Sequence, residues 1–429
     1  MNNMKPLLVA VLALLTLSSI SEQAHAYTFV EGYAMAKDND PKFMGSGYAA
    51  TLNKYQGTLA KAAFAPTIAY SNSQNAGTMS GTVGNSVVYS GNTITVSQPV
   101  FSVDKYKLYK EADYRNTLAT SSIIVSEQDL ATRLFGFIGS LITATEAIKA
   151  NATRIDNLQK QSVRAQKVFD LGQGTITDKR DIEVRLQQAL ANEITLKTNQ
   201  KIAQRQIYTL TNVLPSDNDF LLPENHIPKS RTLSSLDELV QGFKDSNPTL
   251  MSAKSTEEIS KLEASRSRSQ IYPTLSINQT STFGGSSPDK NQTMLNVSLP
   301  MDAAKVIGTL SADVNESQAR ETRRQVEMQA LMQIYQYYET FVLGEQALIN
   351  KKLAIESAEL SVIANTKSAQ AGVRTTMEVL NSIDILYQAK NDYATAEVNL
   401  ANALLNLLLL SAYPTEDVIA QTQAFLFNQ

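Results

Sequence analysis

Two short stretches decide the fold: Leu171-Gly172-Gln173-Gly174-Thr175-Ile176-Thr177-Asp178 and Ala371-Gly372-Val373-Arg374-Thr375-Thr376-Met377-Glu378. They align position by position: Gly172 with Gly372, Thr175 with Thr375, Asp178 with Glu378. Glycine tolerates the left-handed conformation that closes a helix. Thr followed by an acid three residues later is a capping box that opens the next helix. The positive helix N-terminus also favours that acid. Each stretch therefore reads as the turn of a helical hairpin. Helix punctuation alone explains both, and no chemistry is required of them.

Upstream of each turn lies a long run almost free of Pro and Gly. One spans about Ser102 to Asp170, with only Gly136 and Gly139; the other spans about Ala303 to Gln370, with Gly308 and Gly344. Ala, Leu, Glu, Gln and Lys dominate, all good helix formers. Some 65 helical residues would reach roughly 100 Å. Globular helices rarely pass ~25 residues, so this length predicts a coiled coil or tube. The alternative is a bundle of shorter helices broken at Gly136, Gly139 and Gly344. Downstream, returning helices carry Leu186, Leu190 and Leu196, then Val379, Ile383, Leu386, Leu400 and Leu404, at helical spacing. Such faces need helical neighbours.

Before each long run stand two alternating segments. The first pair opens at Ala65-Pro66-Thr67 and closes at Gln98-Pro99-Val100-Phe101; the second opens at Tyr272-Pro273-Thr274 and closes at Leu299-Pro300-Met301. Period-two alternation marks strands with one wet face, and Gly/Ser/Asn-rich connectors make each pair a hairpin. The whole plan thus occurs twice at an offset of about 200 residues. The expected organisation is a signal peptide at 1–26, a first repeat at 27–235 and a second at 236–429. In the first repeat the β-hairpin covers about 66–101 and the long helices about 102–213, with a linker to 235. In the second they cover about 273–301 and about 302–411, followed by a C-terminal segment.

Composition narrows the function classes. The chain has 429 residues, a net charge of −3, no Cys and two His. Thiol chemistry, disulfides and Cys-based metal sites are excluded. The near-balanced charge gives no footprint for nucleic acid. Ser and Thr are plentiful, but no base stands in a nucleophile arrangement, so no enzyme and no cofactor is expected. Lys5, the apolar Leu7–Leu17 and Ala24-His25-Ala26 read as an export signal. Beyond it no run approaches the ~20 apolar residues of a spanning helix. Four strands cannot close a membrane barrel, which needs about eight. Strands that cross lipid must therefore be pooled from several chains, because open edges leave backbone groups unpaired.

In the two Pro-Thr strand starts, the Gln98–Phe101 strand end, the two Gly-x-x-Thr turns with their acids and their order, the chain resembles the TolC-like outer-membrane efflux proteins. The resemblance covers nearly all of the mature chain. It implies a mainly α protein with β: long antiparallel coiled-coil hairpins and four transmembrane strands per protomer. Three protomers would form a twelve-stranded barrel in the Gram-negative outer membrane, continuing as an α-helical tunnel across the periplasm. It further implies a passive exit duct of a tripartite efflux or type I secretion system. The partners would be a homotrimer's other copies, outer-membrane lipid, a periplasmic adaptor (membrane fusion) protein and an inner-membrane transporter, ABC or proton-driven. By family motif position, Asp178 and Arg374 would lock a periplasmic gate. Glu378 matches the first of two entrance acids. Asn381 replaces the second, with Asp384 one turn further on as partial compensation, and Ala369 replaces a tip Tyr. Gly172, Thr175, Gly372 and Thr375 would contact the adaptor, although they serve equally as plain helix caps. The competing reading is a secreted or periplasmic coiled-coil protein (filament, adhesin or adaptor) without pore activity.

Overall fold

The computed structural model describes residues 28–78, 86–217, 219–223, 233–284, 289–299 and 303–427. The expected signal peptide and most of each hairpin loop lie outside them. The protein is mainly helical with one small sheet. Helices α1 (Phe29–Asn39) and α2 (Pro41–Lys61) lead into strands β1 (Thr67–Thr78) and β2 (Ser86–Phe101). Then come α3 (Val103–Asp170) and α4 (Ile176–Thr211). The order repeats as α5 (Leu236–Ser246), α6 (Pro248–Ser269), β3 (Thr274–Phe283), β4 (Lys290–Ser298), α7 (Ala303–Gln370) and α8 (Thr376–Leu410). A final helix, α9 (Thr415–Phe427), has no counterpart among the described residues of the first half.

Both long runs are single helices of 68 residues, each roughly 100 Å long. The glycines that could have broken them do something else. A methyl group on Gly139 would sit 2.6 Å from Cγ1 of Val398, and one on Gly344 would sit 2.7 Å from Cδ1 of Leu400. Both glycines let the long helices approach α8. By length and composition α8 could cross a bilayer, which the sequence reading did not foresee. More than half of its apolar window is instead buried inside the protein.

The helix pairs ahead of the strands are an addition to the sequence reading. Their punctuation is nonetheless explicit. Thr28 with Glu31, and Ser235 with Glu238, form full capping boxes. Asp40 and Asn247 cap the next helices, each followed by Pro at the first helical position, where a missing N–H does no harm.

The four strands form one antiparallel sheet in the order β1-β2-β3-β4, so β1 and β4 are open edges. Directly opposed residues share a face. Ile68 faces Val96, Tyr70 faces Ile94, Leu275 faces Val297 and Ile277 faces Leu295. The other face carries Thr67, Ser71, Thr93, Thr95, Ser97, Asn278, Thr280 and Thr282. Across it Ser97 donates to Asn278 at 2.7 Å. One face therefore carries most of the apolar side chains, and the other is mainly polar, with Lys290 opposite Thr282.

The helices continue the sheet's width. On the sheet side α2 packs on α3, α3 on α6 and α6 on α7; towards the turns α4 packs on α3, α3 on α8 and α8 on α7. The wall is four elements wide throughout. Its main core joins α1, α3, α4, α7, α8 and α9 around Phe135, Leu404 and Phe425. A second cluster near the turns joins both hairpins through Leu158, Ile182, Val362, Val379 and Ile383.

Candidate functional site

The two turns lie at the far end of the long helices from the sheet. Each helix ends in the same double bond. The N–H of Gln173 donates to Val168 O at 3.0 Å and that of Gly172 to Phe169 O at 2.9 Å. In the second turn Val373 donates to Ser368 at 2.9 Å and Gly372 to Ala369 at 3.3 Å. This pairing satisfies the last carbonyls and requires a left-handed residue. Gly172 and Gly372 supply it, with φ of 72° and 75°.

The following caps differ. Thr375 and Glu378 cap each other: the Glu378 N–H donates to Thr375 Oγ1 at 3.3 Å, and the Thr375 N–H to Glu378 Oε2 at 2.8 Å. In the first turn only half of the expected capping box forms. The Asp178 N–H donates to Thr175 Oγ1 at 3.1 Å, and the Thr175 hydroxyl returns to the Asp178 carboxylate at 2.7 Å. Aspartate is one methylene shorter than glutamate and stops at the hydroxyl.

Arg374 pairs with Glu378 of its own turn. The Thr375 N–H first, then Arg374 and the Thr375 hydroxyl, hold the Glu378 carboxyl below the usual carboxylate range. Within one chain, then, Asp178 and Arg374 are each engaged locally and are not joined to each other. Lys179 and Arg180 turn to Glu183, at 3.8 and 2.7 Å, rather than to Asp178. Gly172, Thr175, Gly372 and Thr375 are all exposed. Beside them Leu171, Ile176 and Val373 project apolar side chains into solvent.

Asp384 lies one helical turn beyond Asn381. Its carboxylate is covered by two guanidinium groups: Arg185 bonds one oxygen, and Arg154 lies 2.7 Å from the other. Arg185 also donates to Oδ1 of Asn381 at 3.1 Å. Arg164 donates to the carbonyl of Ala369 at 3.2 Å, the residue standing in for the tip Tyr. The sequence reading passed over these three arginines. They sit on α3 and α4, far in sequence from their acceptors, and no local spacing announces them.

No family model matches the chain. It is similar in sequence to the alkaline protease secretion protein AprF of Pseudomonas aeruginosa, 22% identical over 90% of this chain and 85% of that protein. It is likewise similar to the proteases secretion protein PrtF of Dickeya chrysanthemi, 21% identical over 97% and 95%. The outer membrane protein TolC of Escherichia coli is 20% identical over 77% of this chain and 71% of its own length. In fold the chain matches the outer-membrane channel OprN, with a TM-score of 0.79 at 14% identity over 90% of each chain. The outer membrane protein VceC of Vibrio cholerae follows at 0.78 and 14%, over 90% of this chain and 96% of that one.

Proposed function

We propose that this chain, whose fold is that of the TolC-like outer-membrane channels and whose sequence resembles theirs along most of its length, is one protomer of a passive exit duct in a tripartite efflux or type I secretion system. One observation carries the reading: the wall is four elements wide and unfinished on both sides at every level. β1 and β4 have unpaired edges. Below them α2 exposes Tyr48, Leu52, Tyr55 and Leu59, while α7 exposes Ile307, Leu310 and Val314. Helical spacing puts each set on one stripe. Both stripes start at the sheet end of their helix, so they fall at the same height on opposite sides of one chain. Identical copies set side by side would cover both stripes and pair both strand edges. Three copies give twelve strands, enough to close a barrel.

The apolar sheet face then meets lipid in the outer membrane and the polar face lines the pore. The helices extend the duct into the periplasm, and the turns become its inner mouth. In that mouth Asp178 and Arg374 meet across neighbouring copies, each leaving its local partner; such exposed pairs contribute only about 0–1 kcal/mol each. The exposed Gly172, Thr175, Gly372 and Thr375, with Leu171, Ile176 and Val373 around them, offer a surface to a periplasmic adaptor. An inner-membrane transporter supplies the energy. The duct itself performs no catalysis. AprF and PrtF are named for protease secretion, which favours a secreted protein as cargo over a drug.

Outer-membrane fractionation, unboiled gel mobility and planar-bilayer recording test this together. A soluble monomer without pores refutes it and favours the structural coiled-coil reading. Capture of an adaptor and transporter from the native host would identify the system. Glu378→Gln should weaken cation preference in the same recordings; unchanged selectivity removes Glu378 from the account.

A further inference from the structure

Three arginines of the first hairpin reach across to the second, and every acceptor lies on the second. Arg154 and Arg185 converge on Asp384; Arg185 also holds Asn381; Arg164 holds the Ala369 carbonyl. Their surroundings fix them. The Arg154 guanidinium lies over the ring of Tyr387, 5.0 Å from its centroid. The Tyr387 hydroxyl in turn accepts from Asn192 of α4 at 2.8 Å. Arg154, Arg185 and Asp384 are each largely screened from solvent.

We propose that Arg154, Arg164 and Arg185 form a clamp that holds the second hairpin against the first and sets the charge of the mouth. This rests on reading the turns as the mouth of a duct. The apolar cluster between the hairpins (Leu158, Ile182, Val379, Ile383) is non-directional and permits sliding. Charge-assisted bonds are directional and do not. Any movement that widens the mouth by parting the hairpins of one chain must break them. The clamp also covers one of the two acids in the first turns of α8. Asp384 lies under two arginines and Asn381 is neutral, which leaves Glu378, released once Arg374 turns to Asp178, as the acid of the mouth. The same three arginines thus hold the mouth together and limit its cation preference.

Planar-bilayer recordings of the full-length protein test this with Arg185→Ala, Arg185→Lys and Asp384→Asn. Arg185→Ala should raise the open probability roughly fivefold, the factor corresponding to about 1 kcal/mol for a partly exposed pair. Arg185→Lys keeps the charge and should stay near wild type. In a KCl gradient the reversal potential should move towards cations in Arg185→Ala and towards anions in Asp384→Asn. Unboiled gel mobility confirms that each variant assembles. If Arg185→Ala assembles yet leaves both conductance and reversal potential unchanged, the clamp is refuted. If Arg185→Ala fails to assemble, the decision passes to Asp384→Asn, whose unchanged conductance and reversal potential refute it equally. If wild type itself forms no pore, the duct reading fails, and the clamp with it.

Discussion

Gly136 and Gly139 make a controlled comparison, because they share one helix and differ in what surrounds them. Replacing either by Ala gains about 1 kcal/mol of helix propensity. At Gly136 the new methyl meets nothing within 4 Å in the chain, so Gly136→Ala should stabilise by about that amount. At Gly139 it would lie 2.6 Å from Cγ1 of Val398, against an ordinary carbon contact of about 3.5–4.0 Å. Val398 cannot easily turn away, since a β-branched side chain in a helix is held near one rotamer. Overpacking of this kind costs about 1–3 kcal/mol. The propensity gain is common to both variants and cancels. Gly139→Ala should therefore be less stable than Gly136→Ala by about 1–3 kcal/mol. Thermal melting followed by circular dichroism, with guanidinium midpoints as a second readout, gives the ranking. Gly139→Ala with Val398→Ala should recover most of the difference, a coupling that a double-mutant cycle isolates. Equal stabilisation by both alanines would refute the close approach of α3 and α8.

Three further outcomes are expected. Asp40 caps α2 and pairs with Arg133 at 2.5 Å. Burial works against its charge, yet Arg133 and the Phe43 N–H hold its carboxyl below the usual range. Asp40→Ala should cost about 2–3 kcal/mol, roughly 1 from the cap and the rest from leaving Arg133 with Asp129 alone, as read from a denaturation midpoint. Glu378 is likewise depressed, so its contribution is present above the usual carboxylate range and lost as pH falls through its lowered value. Amide exchange at Thr375 and Glu378 should be flat from neutral pH down to about 5 once corrected for the intrinsic rate, and rise only below the usual carboxylate range; protection unaffected by acid would remove the capping box from the account. Finally, Tyr55→Cys combined with Leu310→Cys in this cysteine-free chain should yield dimers and trimers on non-reducing gels. The two positions lie on opposite sides of one wall, so an exclusively monomeric band would contradict side-by-side assembly.

The long helices, their turns and the strands were legible because each is a local pattern: period two, absence of breakers, Gly then Thr then acid. The pairs α1–α2 and α5–α6 were equally legible in principle. Thr28 with Glu31 and Asp40-Pro41 have counterparts in Ser235 with Glu238 and Asn247-Pro248, and comparing the halves upstream of Pro66 and Pro273 would have found them. Gly136, Gly139 and Gly344 kept a bundle of shorter helices open as the alternative, because composition cannot distinguish a glycine that breaks a helix from one that admits a neighbour. The surroundings of Asp384 were not legible for a different reason. Its partners Arg154 and Arg185 come from another hairpin, and a carboxylate's effective charge is a tertiary property.

The mainly polar face of the sheet has an electrical consequence. The four strands contain a single Lys or acid, Lys290, at the very start of β4 and opposite Thr282 on that face. If that face lines a passage, as proposed above, hydroxyl and amide groups dominate the wall and the strands supply one lysine as fixed charge. Permselectivity of such a conduit would then rest chiefly on the charged side chains of the helices, before the solute reaches lipid depth.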